Sequence, residues 1–455
     1  MTAAPRQEHV LTAIEQFASY AAGLDRRSLP DDVVHHAKRA IIDWEAALLP
    51  GMIEPPATLL ERALEDELDR GAARLPSGRA APAGPAALII GSAAHTIEFD
   101  DIFRDAIYHP GAPTISAAWP LAQALGADGR ALIAAVIAGY EVSTRIGAAL
   151  GRAHYRFWHN TGTVGSFGAA SACAHLLALD RSRHAHALAT VGTFAAGLQQ
   201  AFRMDSMSKP LHAGRAAQAG LSAAQMAAAG ITGSLDILEG DAGLGRAMGD
   251  GPDWAAALAN LGERFNINRM TFKNHGCCGH TFAPIDGALT LQAQMKVPAA
   301  AIERVRIDTY STALEVAGNR APHTAAEARF SLPYVIACAL VHGSVRLAAF
   351  SPERLADPVV RELMTRIELG VDPEIDAAFP GQRAARVSIT TRDGRSEHWF
   401  QPTRKGDPEA PLSDRELGDK YIELVAPVIG EPAARKRLDW LWGLEHEPQL
   451  VWPAH

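Results

Sequence analysis

Small apolar residues at helical spacing dominate the chain up to about residue 265. "PDDVVHHAKRAIIDWEAALL" places apolar side chains three and four positions apart, which is typical of an amphipathic helix. "DGRALIAAVIAGYEVSTRIGAAL" is apolar on almost every side, so we expect it to form a central, buried helix. "TVGSFGAASACAHLLAL" and "AGRAAQAGLSAAQMAAAG" carry small residues every three or four positions, which lets helices pack closely. We therefore predict an all-α bundle for this part of the chain.

The periodicity changes after about residue 265. "IERVRIDTY" alternates Val305, Ile307 and Thr309 on one face, which indicates a strand. "RVSITTRDGRSEHWF" has the pattern of strand, Asp-Gly turn and strand, and therefore predicts a β-hairpin. "RIELGVD" is a further strand candidate, and "SPERLADPVVRELMTR" has helical spacing. Later, Ser413 followed by Glu416 predicts a capping box at the start of another helix.

These patterns together predict a mainly α fold, with a large all-α helical domain and a smaller α+β domain. We place the first part of the helical domain at residues 1–265 and the α+β domain at residues 266–400. The segment 401–455 is expected to be helical and to pack back on the first domain.

Composition and charge narrow the classes of partner. The formal net charge is −8 and no Lys/Arg run occurs, so we expect no nucleic-acid partner. No charge-free apolar run rich in Leu, Ile and Val reaches membrane-spanning length, so we expect no membrane partner. "MTAAPRQEHVLTAIEQFASY" lacks a signal-peptide core, and four cysteines do not make a disulfide framework. We therefore expect a cytoplasmic protein.

Three segments of the helical part place an ionisable residue before a helix of small residues. They contain His109 in "YHPGAPTISAAWPLAQAL", His159 in "FWHNTGTVGSFGAASA" and Lys209 in "MSKPLHAGRAAQAG". Helix N-termini bind carboxylates through free N–H groups and the positive end of the helix dipole. If the three starts converge, they form a site for a di- or tricarboxylic acid that also contains an acid or base. Alternatively, the histidines are caps or buried structural residues, and Lys209 is either a surface lysine or a partly desolvated one.

The acidic stretch "HTIEFDDIFRD" allows two interpretations. Its carboxylates, on Glu98, Asp100, Asp101 and Asp105, can be solvated groups and caps of a helix start. Alternatively they bind metal, because "DDIFRD" is similar to the Mg²⁺ motif of isoprenoid synthases. That interpretation requires a second metal motif, which the sequence lacks, and the aromatic content is only 6%. We therefore expect no metal.

The stretch "KNHGCCGHT" (273–281) combines adjacent cysteines with two histidines. Structural zinc sites take their ligands from two separated pairs, and no Cys-x-x-Cys redox motif is present. A glycine-rich loop between the helical and α+β parts suits an active site better, because ligands favour domain boundaries. Lys273, His275 and His280 are the candidate functional residues of this loop, and we interpret the cysteines as packing residues.

Several blocks in the same order resemble the MmgE/PrpD family, over nearly the whole chain. They are "HTIEFDDIF…HPGAP", "GYEV", "WHNTGTVGSFGAA", "SKPLHAGRAAQAG", "KNHGCCGHTFAPID" and "EARFSLPYVIACAL". The family includes 2-methylcitrate dehydratase, cis-aconitate decarboxylase and iminodisuccinate epimerase. The resemblance implies a helical domain made from both ends of the chain and an α+β lid from its middle. It also implies a homodimer, an active site between the domains, and no metal or organic cofactor.

The resemblance assigns residues one by one. His109, His159 and Lys209 match the family's polar active-site positions, and Glu98 stands where the decarboxylases have aspartate. Many relatives have a lid-loop histidine where this chain has Phe282, so His280 or His275 must take that role. The chain also departs from the decarboxylases at Ile102, where they have threonine, and lacks their lid tyrosine near Val316 and Ala317. The residues expected to bind substrate are Glu98, Asp101, His275, Thr161 and Lys273.

The family chemistry is abstraction of a proton next to a carboxylate. We expect His159 to act as general base or acid and Lys209 to bind a carboxylate and stabilise the resulting charge. His109 and His280 would bind a second carboxylate or protonate a leaving hydroxyl. The preferred interpretation is a dehydratase-type lyase acting on a small carboxylic acid, and an epimerase or a decarboxylase are the alternatives. A catalytically inactive helical scaffold is a further alternative, which the retained His and Lys residues disfavour.

Overall fold

A computed structural model describes residues 10–204 and 206–452. The first nine residues, on which part of the N-terminal signal-peptide prediction rests, lie outside this range. The chain divides into two compact units. The helical unit comprises Met1–Met270 and Leu417–His455, and the α+β unit comprises Thr271–Glu416.

The described part of the helical unit begins with a series of helices and one small two-stranded sheet. Antiparallel β1 (Ala73–Arg74) and β2 (Ala80–Ala81) form this sheet. The helices are α1 (Ala13–Gly23), α2 (Asp31–Met52), α3 (Ala57–Ala63), α4 (Ala83–Ala94), α5 (Gly111–Leu125), α6 (Gly129–Tyr155), α7 (Asn160–Leu176), α8 (Arg181–Gly192), α9 (Ser208–Ala228), α10 (Leu244–Met248) and α11 (Trp254–Leu258).

Helix α6 is the central helix predicted from its apolar sequence. Among the described helices it is the one long and apolar enough to cross a membrane by length and composition. Its 18-residue apolar window is 89% buried inside the protein, as in the core helix of a globular protein. Tight packing around it depends on glycine: a Cβ on Gly139 would lie 2.5 Å from Thr114 Cγ2 and 2.6 Å from Gly168 O. The small residues of α5, α6 and α7 therefore let these helices approach closely.

Helical spacing predicted more helix between α9 and α11 than the structure contains. The chain from Gly230 to Gly251 is mostly turns, apart from the short α10. Glycine recurs through this stretch, and each glycine inside a helix costs roughly 1 kcal/mol relative to alanine. The turns therefore follow from glycine content that the apolar periodicity does not reveal.

The α+β unit contains a four-stranded sheet with strand order β4-β3-β5-β6. Strands β3 and β4 are parallel, and the other neighbouring pairs are antiparallel. Helices α12 and α15 pack with the sheet in one hydrophobic core. The strands are β3 (Ile302–Thr309), β4 (Ile367–Val371), β5 (Ala385–Thr391) and β6 (Ser396–Gln401). The helices are α12 (Phe282–Met295), α13 (Ser311–Ala317), α14 (Ala325–Ala328), α15 (Leu332–His342), α16 (Pro352–Leu355), α17 (Pro358–Met364) and α18 (Pro373–Ala378).

The predicted hairpin and strands of this unit are confirmed. At the Asp-Gly turn, Gly394 has φ +87°, Thr391 N donates to Arg395 O at 2.8 Å, and Gly394 N donates to Thr391 O at 2.9 Å. The unit extends to Glu416, beyond the boundary expected at residue 400. Arg404 donates to Gly279 O at 3.1 Å, and Lys405 N donates to Asp286 Oδ2 at 2.7 Å. These bonds attach the segment after β6 to the α+β unit.

Two further α-helices, α19 (Asp414–Ile429) and α20 (Glu431–Trp442), follow β6 within the described residues. The capping box predicted at Ser413 is confirmed, since Glu416 N donates to Ser413 Oγ and Ser413 N donates to Glu416 Oε2. Two side chains of these helices bind the buried Glu45 of α2: Tyr421 OH donates at 2.6 Å and Arg437 Nε at 2.9 Å. The mainly α fold with a smaller α+β part is thereby confirmed.

Candidate active site in the helical unit

Three helix ends of the helical unit meet around a group of histidines. His109 directly precedes Pro110 at the start of α5, and His159 is the N-cap residue of α7. Lys209 is the second residue of α9. His95, which follows the last residue of α4, lies among them. The structure therefore brings together the three segments that the sequence marks as helix starts.

Four rings, on His95, His109, His159 and His212, form what we call the histidine cluster. The rings of His95 and His159 stack with centroids 5.4 Å apart and planes 22° apart. His95 and His109 meet edge to face at 4.9 Å. His159 Nδ1 lies 3.1 Å from His212 Nδ1, a hydrogen bond in which either ring can donate.

Asp100 binds one side of this cluster. His95 Nδ1 lies 2.6 Å from Asp100 Oδ2, and His109 Nδ1 lies 3.3 Å from the same oxygen. The side chains of His95 and Asp100 are 0% and 1% exposed. A carboxylate so placed fixes the orientation of the His95 ring, because Nδ1 is occupied and Nε2 points away from it.

These three residues are also of types that ligate metals. One ligand atom from each of His95, Asp100 and His109 lies within 4.8 Å of the others. The His95–Asp100 separation of 2.6 Å is that of a charge-assisted hydrogen bond, which an ion between the two atoms would have to break. The hydrogen bonds account for the arrangement, and the absence of a metal stays a prediction.

Lys209 is held between Glu98 and an aromatic ring. Its ammonium forms an ion pair with Glu98 Oε1 and lies 5.3 Å from the centre of the Phe202 ring. Glu98 has φ +62°, a left-handed conformation that is uncommon outside glycine. The side chains of Lys209 and Glu98 are 18% and 22% exposed. The pair is therefore partly desolvated yet still accessible to a ligand.

Burial and neighbouring charge keep two rings of the cluster neutral. Burial holds the pKa of His159 well below its usual range, and the surrounding His95, Lys209, His212 and His109 act in the same direction. Burial also lowers the pKa of His212 to about 4, with smaller contributions from His95 and Lys209. At neutral pH both rings therefore carry a lone pair that can accept a proton.

Asp101 and Thr161 lie beside the cluster and bind backbone or buried groups. Asp101 accepts from Gly111 N at 3.0 Å and from Tyr140 OH at 2.8 Å. Burial, together with the nearby Asp43 carboxylate, raises the pKa of Asp101 well above its usual value. Thr161 Oγ1 accepts from His109 N at 3.4 Å. These bonds position the start of α5, and the substrate-binding roles of both residues stay predictions.

The other predicted residues lie in a loop of the α+β unit. His280 is partly exposed, and its Nδ1 lies 2.8 Å from Tyr310 OH. His275 is 2% exposed and pairs with Asp286 through Nε2 at 2.9 Å, whereas Lys273 is 3% exposed. Of the two histidines, His280 is therefore the better placed to meet a ligand, although the roles of His280, His275 and Lys273 stay predictions.

Of the two adjacent cysteines of this loop, Cys277 is a packing residue, whereas Cys278 is partly exposed and its packing role stays a prediction. Cys277 is buried, and its Sγ lies 3.1 Å from Thr281 Oγ1. Burial raises the pKa of the Cys277 thiol to about 12, so the thiol stays protonated at neutral pH. A buried thiol of this kind is a poor nucleophile and a poor metal ligand.

Sequence reasoning missed two members of the cluster, His95 and His212. His95 lies at the C-terminal end of α4, where none of the helix-start signals applies. His212 follows Lys209 by three residues on α9, and this spacing places both on one helix face. The spacing in "KPLH" was therefore an available signal for His212, whereas His95 became apparent only through its bond to Asp100.

Comparison with known proteins gives the same family for both parts of the chain. The MmgE/PrpD N-terminal domain matches residues 15–257, and the MmgE/PrpD C-terminal domain matches residues 275–445. A cis-aconitate decarboxylase from Homo sapiens is 27% identical over 90% of this chain and 86% of its own length. One from Mus musculus is 26% identical, covering 90% and 85%. A cis-aconitate decarboxylase-like protein from Aspergillus oryzae is 26% identical, covering 91% and 90%. The chain belongs to the MmgE/PrpD family.

Proposed function

We propose that the protein is a cofactor-independent lyase that removes a proton next to a carboxylate of a small di- or tricarboxylic acid. The preferred reaction is loss of a β-hydroxyl group as water, as in a dehydratase. The observation that carries the proposal is that the buried His159 ring and the Lys209 ammonium contact the same Phe202 ring, at 4.8 Å and 5.3 Å from its centre. Burial holds the pKa of His159 well below its usual range and so keeps this base neutral. A neutral base beside a fixed cation suits abstraction of a carbon-bound proton.

Binding of a substrate carboxylate would prepare this base. The Lys209 ammonium can exchange part of its ion pair with Glu98 for the incoming carboxylate. A carboxylate there offsets the positive charge that lowers the pKa of His159. The imidazole then becomes a stronger base only when substrate is present.

Proton transfer would occur at His159 Nε2, because Nδ1 is bonded to His212. The negative charge that develops on the substrate is of enolate type and lies near the Lys209 ammonium, which stabilises it. Departure of hydroxide requires an acid. His95 and His109 are the candidates for that acid, because their Nδ1 atoms lie 2.6 Å and 3.3 Å from the Asp100 carboxylate.

Decarboxylation is the second candidate, because the relatives reported above are named cis-aconitate decarboxylases. The same group of side chains would then deliver a proton to the carbanion formed on loss of carbon dioxide. Glu98 and Ile102 stand where the resemblance places aspartate and threonine in those enzymes, so we rank this reaction below dehydration. Epimerisation needs only return of the proton to the opposite face and ranks third. A homodimeric state and a cytoplasmic location are part of the same proposal.

Proton NMR in D₂O tests the proposal with a panel of hydroxy- and amino-substituted di- and tricarboxylic acids. New vinyl signals together with an unchanged number of carboxylates indicate a dehydratase. Vinyl signals accompanied by release of carbon dioxide from an unsaturated tricarboxylate indicate a decarboxylase, and exchange of the α-proton without an alkene indicates an epimerase. If every acid stays unchanged, the proposal of a carboxylate lyase is wrong.

A further inference from the structure

We propose that His212 is a positioning and relay residue, which fixes the tautomer of His159 and passes a proton to solvent when His159 takes one from substrate. This inference rests on the proposed function, in which His159 takes a proton from substrate. It assigns a role to a residue outside the set that the sequence identified.

The geometry of the two rings carries the proposal. His159 Nδ1 and His212 Nδ1 lie 3.1 Å apart, so one nitrogen must carry hydrogen and the other must accept it. His159 is 2% exposed, whereas His212 is partly exposed. Among the described residues, none forms a hydrogen bond with Nε2 of His159 or of His212. One end of the pair is therefore buried among the site residues, and the other end reaches the surface.

The surrounding backbone is shaped to hold His212 in this place. A Cβ on Gly162 would lie 3.1 Å from His212 Cβ and 2.5 Å from Ala196 O. Gly197, at φ +139°, packs against the same ring, and a Cβ there would lie 3.3 Å from His212 Nδ1. Gly197 O also accepts from His159 N at 2.8 Å. Gly162 and Gly197 therefore leave just enough room for the His212 side chain, and Gly197 also fixes the backbone of His159.

The tautomer follows from the role of each nitrogen. Proton abstraction needs a lone pair on the nitrogen that His212 does not bond, so we assign the lone pair to His159 Nε2 and the hydrogen to Nδ1. His159 Nδ1–H then donates to His212 Nδ1, and His212 carries its own hydrogen on Nε2. In this state His159 is ready to act as a base.

The relay conserves atoms and charge. Substrate transfers its proton from carbon to His159 Nε2, and the electron pair stays on the substrate. The hydrogen on His159 Nδ1 moves to His212 Nδ1, and the hydrogen on His212 Nε2 passes to water. Rotation of the two neutral rings, or exchange of their N–H hydrogens with water, restores the starting tautomers before the next turnover.

The charged and titratable groups around the pair favour this direction of transfer. His95 faces the pair from the end of α4, His109 from the start of α5, and Lys209 from α9. His95 and Lys209 disfavour a positive charge on either ring, and His109 disfavours one on His159. The low pKa of His212 favours rapid loss of its proton to water. Phe202, in edge-to-face contact with His159, adds no compensating charge.

Two variants test the relay. His212→Asn keeps a hydrogen-bonding atom near the position of Nδ1 but cannot pass a proton through, and His212→Phe removes the bond while keeping a ring. Long-range ¹⁵N–¹H NMR spectra of histidine-labelled protein report the tautomer of His159 directly, with His159→Asn used for assignment. We expect wild type to give the Nδ1–H pattern and His212→Phe to give a different or averaged pattern. An unchanged His159 pattern in His212→Phe overturns the proposal.

Kinetics supply the second readout once a substrate is known. We expect His212→Asn to lower kcat by about 10- to 100-fold with little change in KM, less than the ~100- to 10,000-fold loss of a direct general base. With substrate deuterated at the reacting carbon, the variant should return more deuterium to substrate than wild type does. Wild-type kcat and wild-type deuterium return in His212→Asn overturn the relay. Because the NMR readout needs no substrate, failure of the proposed function does not affect the tautomer test.

Discussion

Lys420 Nζ lies 2.6 Å from Asp43 Oδ1, and neither side chain has any exposed surface. The same ammonium donates to Phe99 O at 2.8 Å. Helix α19 near the end of the chain is thus fixed to α2 and to the loop that carries Glu98 and Asp100. The position of the acidic side of the candidate site therefore depends on a residue more than 300 positions away in sequence.

Replacing Lys420 by methionine should destabilise the protein strongly. The substitution leaves the Asp43 carboxylate buried beside an apolar side chain, and breaking a buried pair in this way costs about 3–5 kcal/mol. The free energy of unfolding from urea titration measures the effect, and Lys436→Met on the exposed face of α20 is the matched control. The double variant Lys420→Met with Asp43→Asn should recover part of the loss. Equal stability of Lys420→Met and Lys436→Met would contradict this role.

Lys209→Met should abolish most activity while the protein stays folded. The lysine is the cation beside the developing charge, and removing one such group lowers kcat by roughly 100- to 1,000-fold. Steady-state kinetics on the substrate found by NMR measure the loss, again with Lys436→Met as the control. Activity within a few-fold of wild type would exclude Lys209 from charge stabilisation.

Glu98→Gln tests whether the Glu98 carboxylate and the substrate carboxylate compete for Lys209. The variant keeps the shape of the side chain but removes the negative charge that pairs with the ammonium. Lys209 is then more available to the substrate carboxylate, so we expect KM to fall. A rise in KM would contradict this and assign Glu98 to direct contact with the substrate. Comparison of KM and kcat for Glu98→Gln and Glu98→Asp distinguishes these two roles, and an unchanged KM with unchanged kcat would leave Glu98 outside the site.

Stability should fall on acidification below about pH 6.5, because several buried histidines stay neutral in the folded state. Burial lowers the pKa of His184 to about 3 and that of His154 to about 4. The unfolded chain therefore binds more protons between these values and its own pKa of about 6.5. Each such histidine contributes a loss of about 1.4 kcal/mol per pH unit in that window.

His184→Gln tests this acid dependence, since it retains hydrogen-bonding capacity towards Ser171 and does not titrate. Urea unfolding at pH 7, 6, 5 and 4 should show a shallower loss of stability for the variant than for wild type. The difference in slope should approach about 1.4 kcal/mol per pH unit. Parallel curves would show that His184 is not the buried, neutral group described above.

Local signals were sufficient to predict the fold class and the three helix starts. Pro110, Asn160 and Pro210 mark where α5, α7 and α9 begin, and such signals depend on a few neighbouring residues. The alternating pattern of β3 and the Asp-Gly turn between β5 and β6 are equally local. These features were confirmed because short-range sterics and hydrogen bonding decide them.

Features that depend on distant contacts could not be predicted in the same way. The boundary at Glu416 depends on Arg404 reaching Gly279 O, which no pattern within residues 401–416 indicates. His95 ends α4 without any start signal, and its place in the site follows from its 2.6 Å bond to Asp100. The resemblance to the family indicated which helix starts meet. The place of the His212 ring next to His159 depends on the packing of α9 against α7, which no local pattern indicates.

The most direct test of the central claim is the activity of His159→Asn in D₂O after treatment of the protein with a chelator. Asparagine keeps the size and polarity of the site but cannot take the proton. We predict that chelator-treated wild type retains full activity and that His159→Asn loses at least about 100-fold in kcat with an unchanged fold. Full activity of His159→Asn, or a wild type that is inactive until Mg²⁺ is restored, would contradict a cofactor-free proton abstraction by His159.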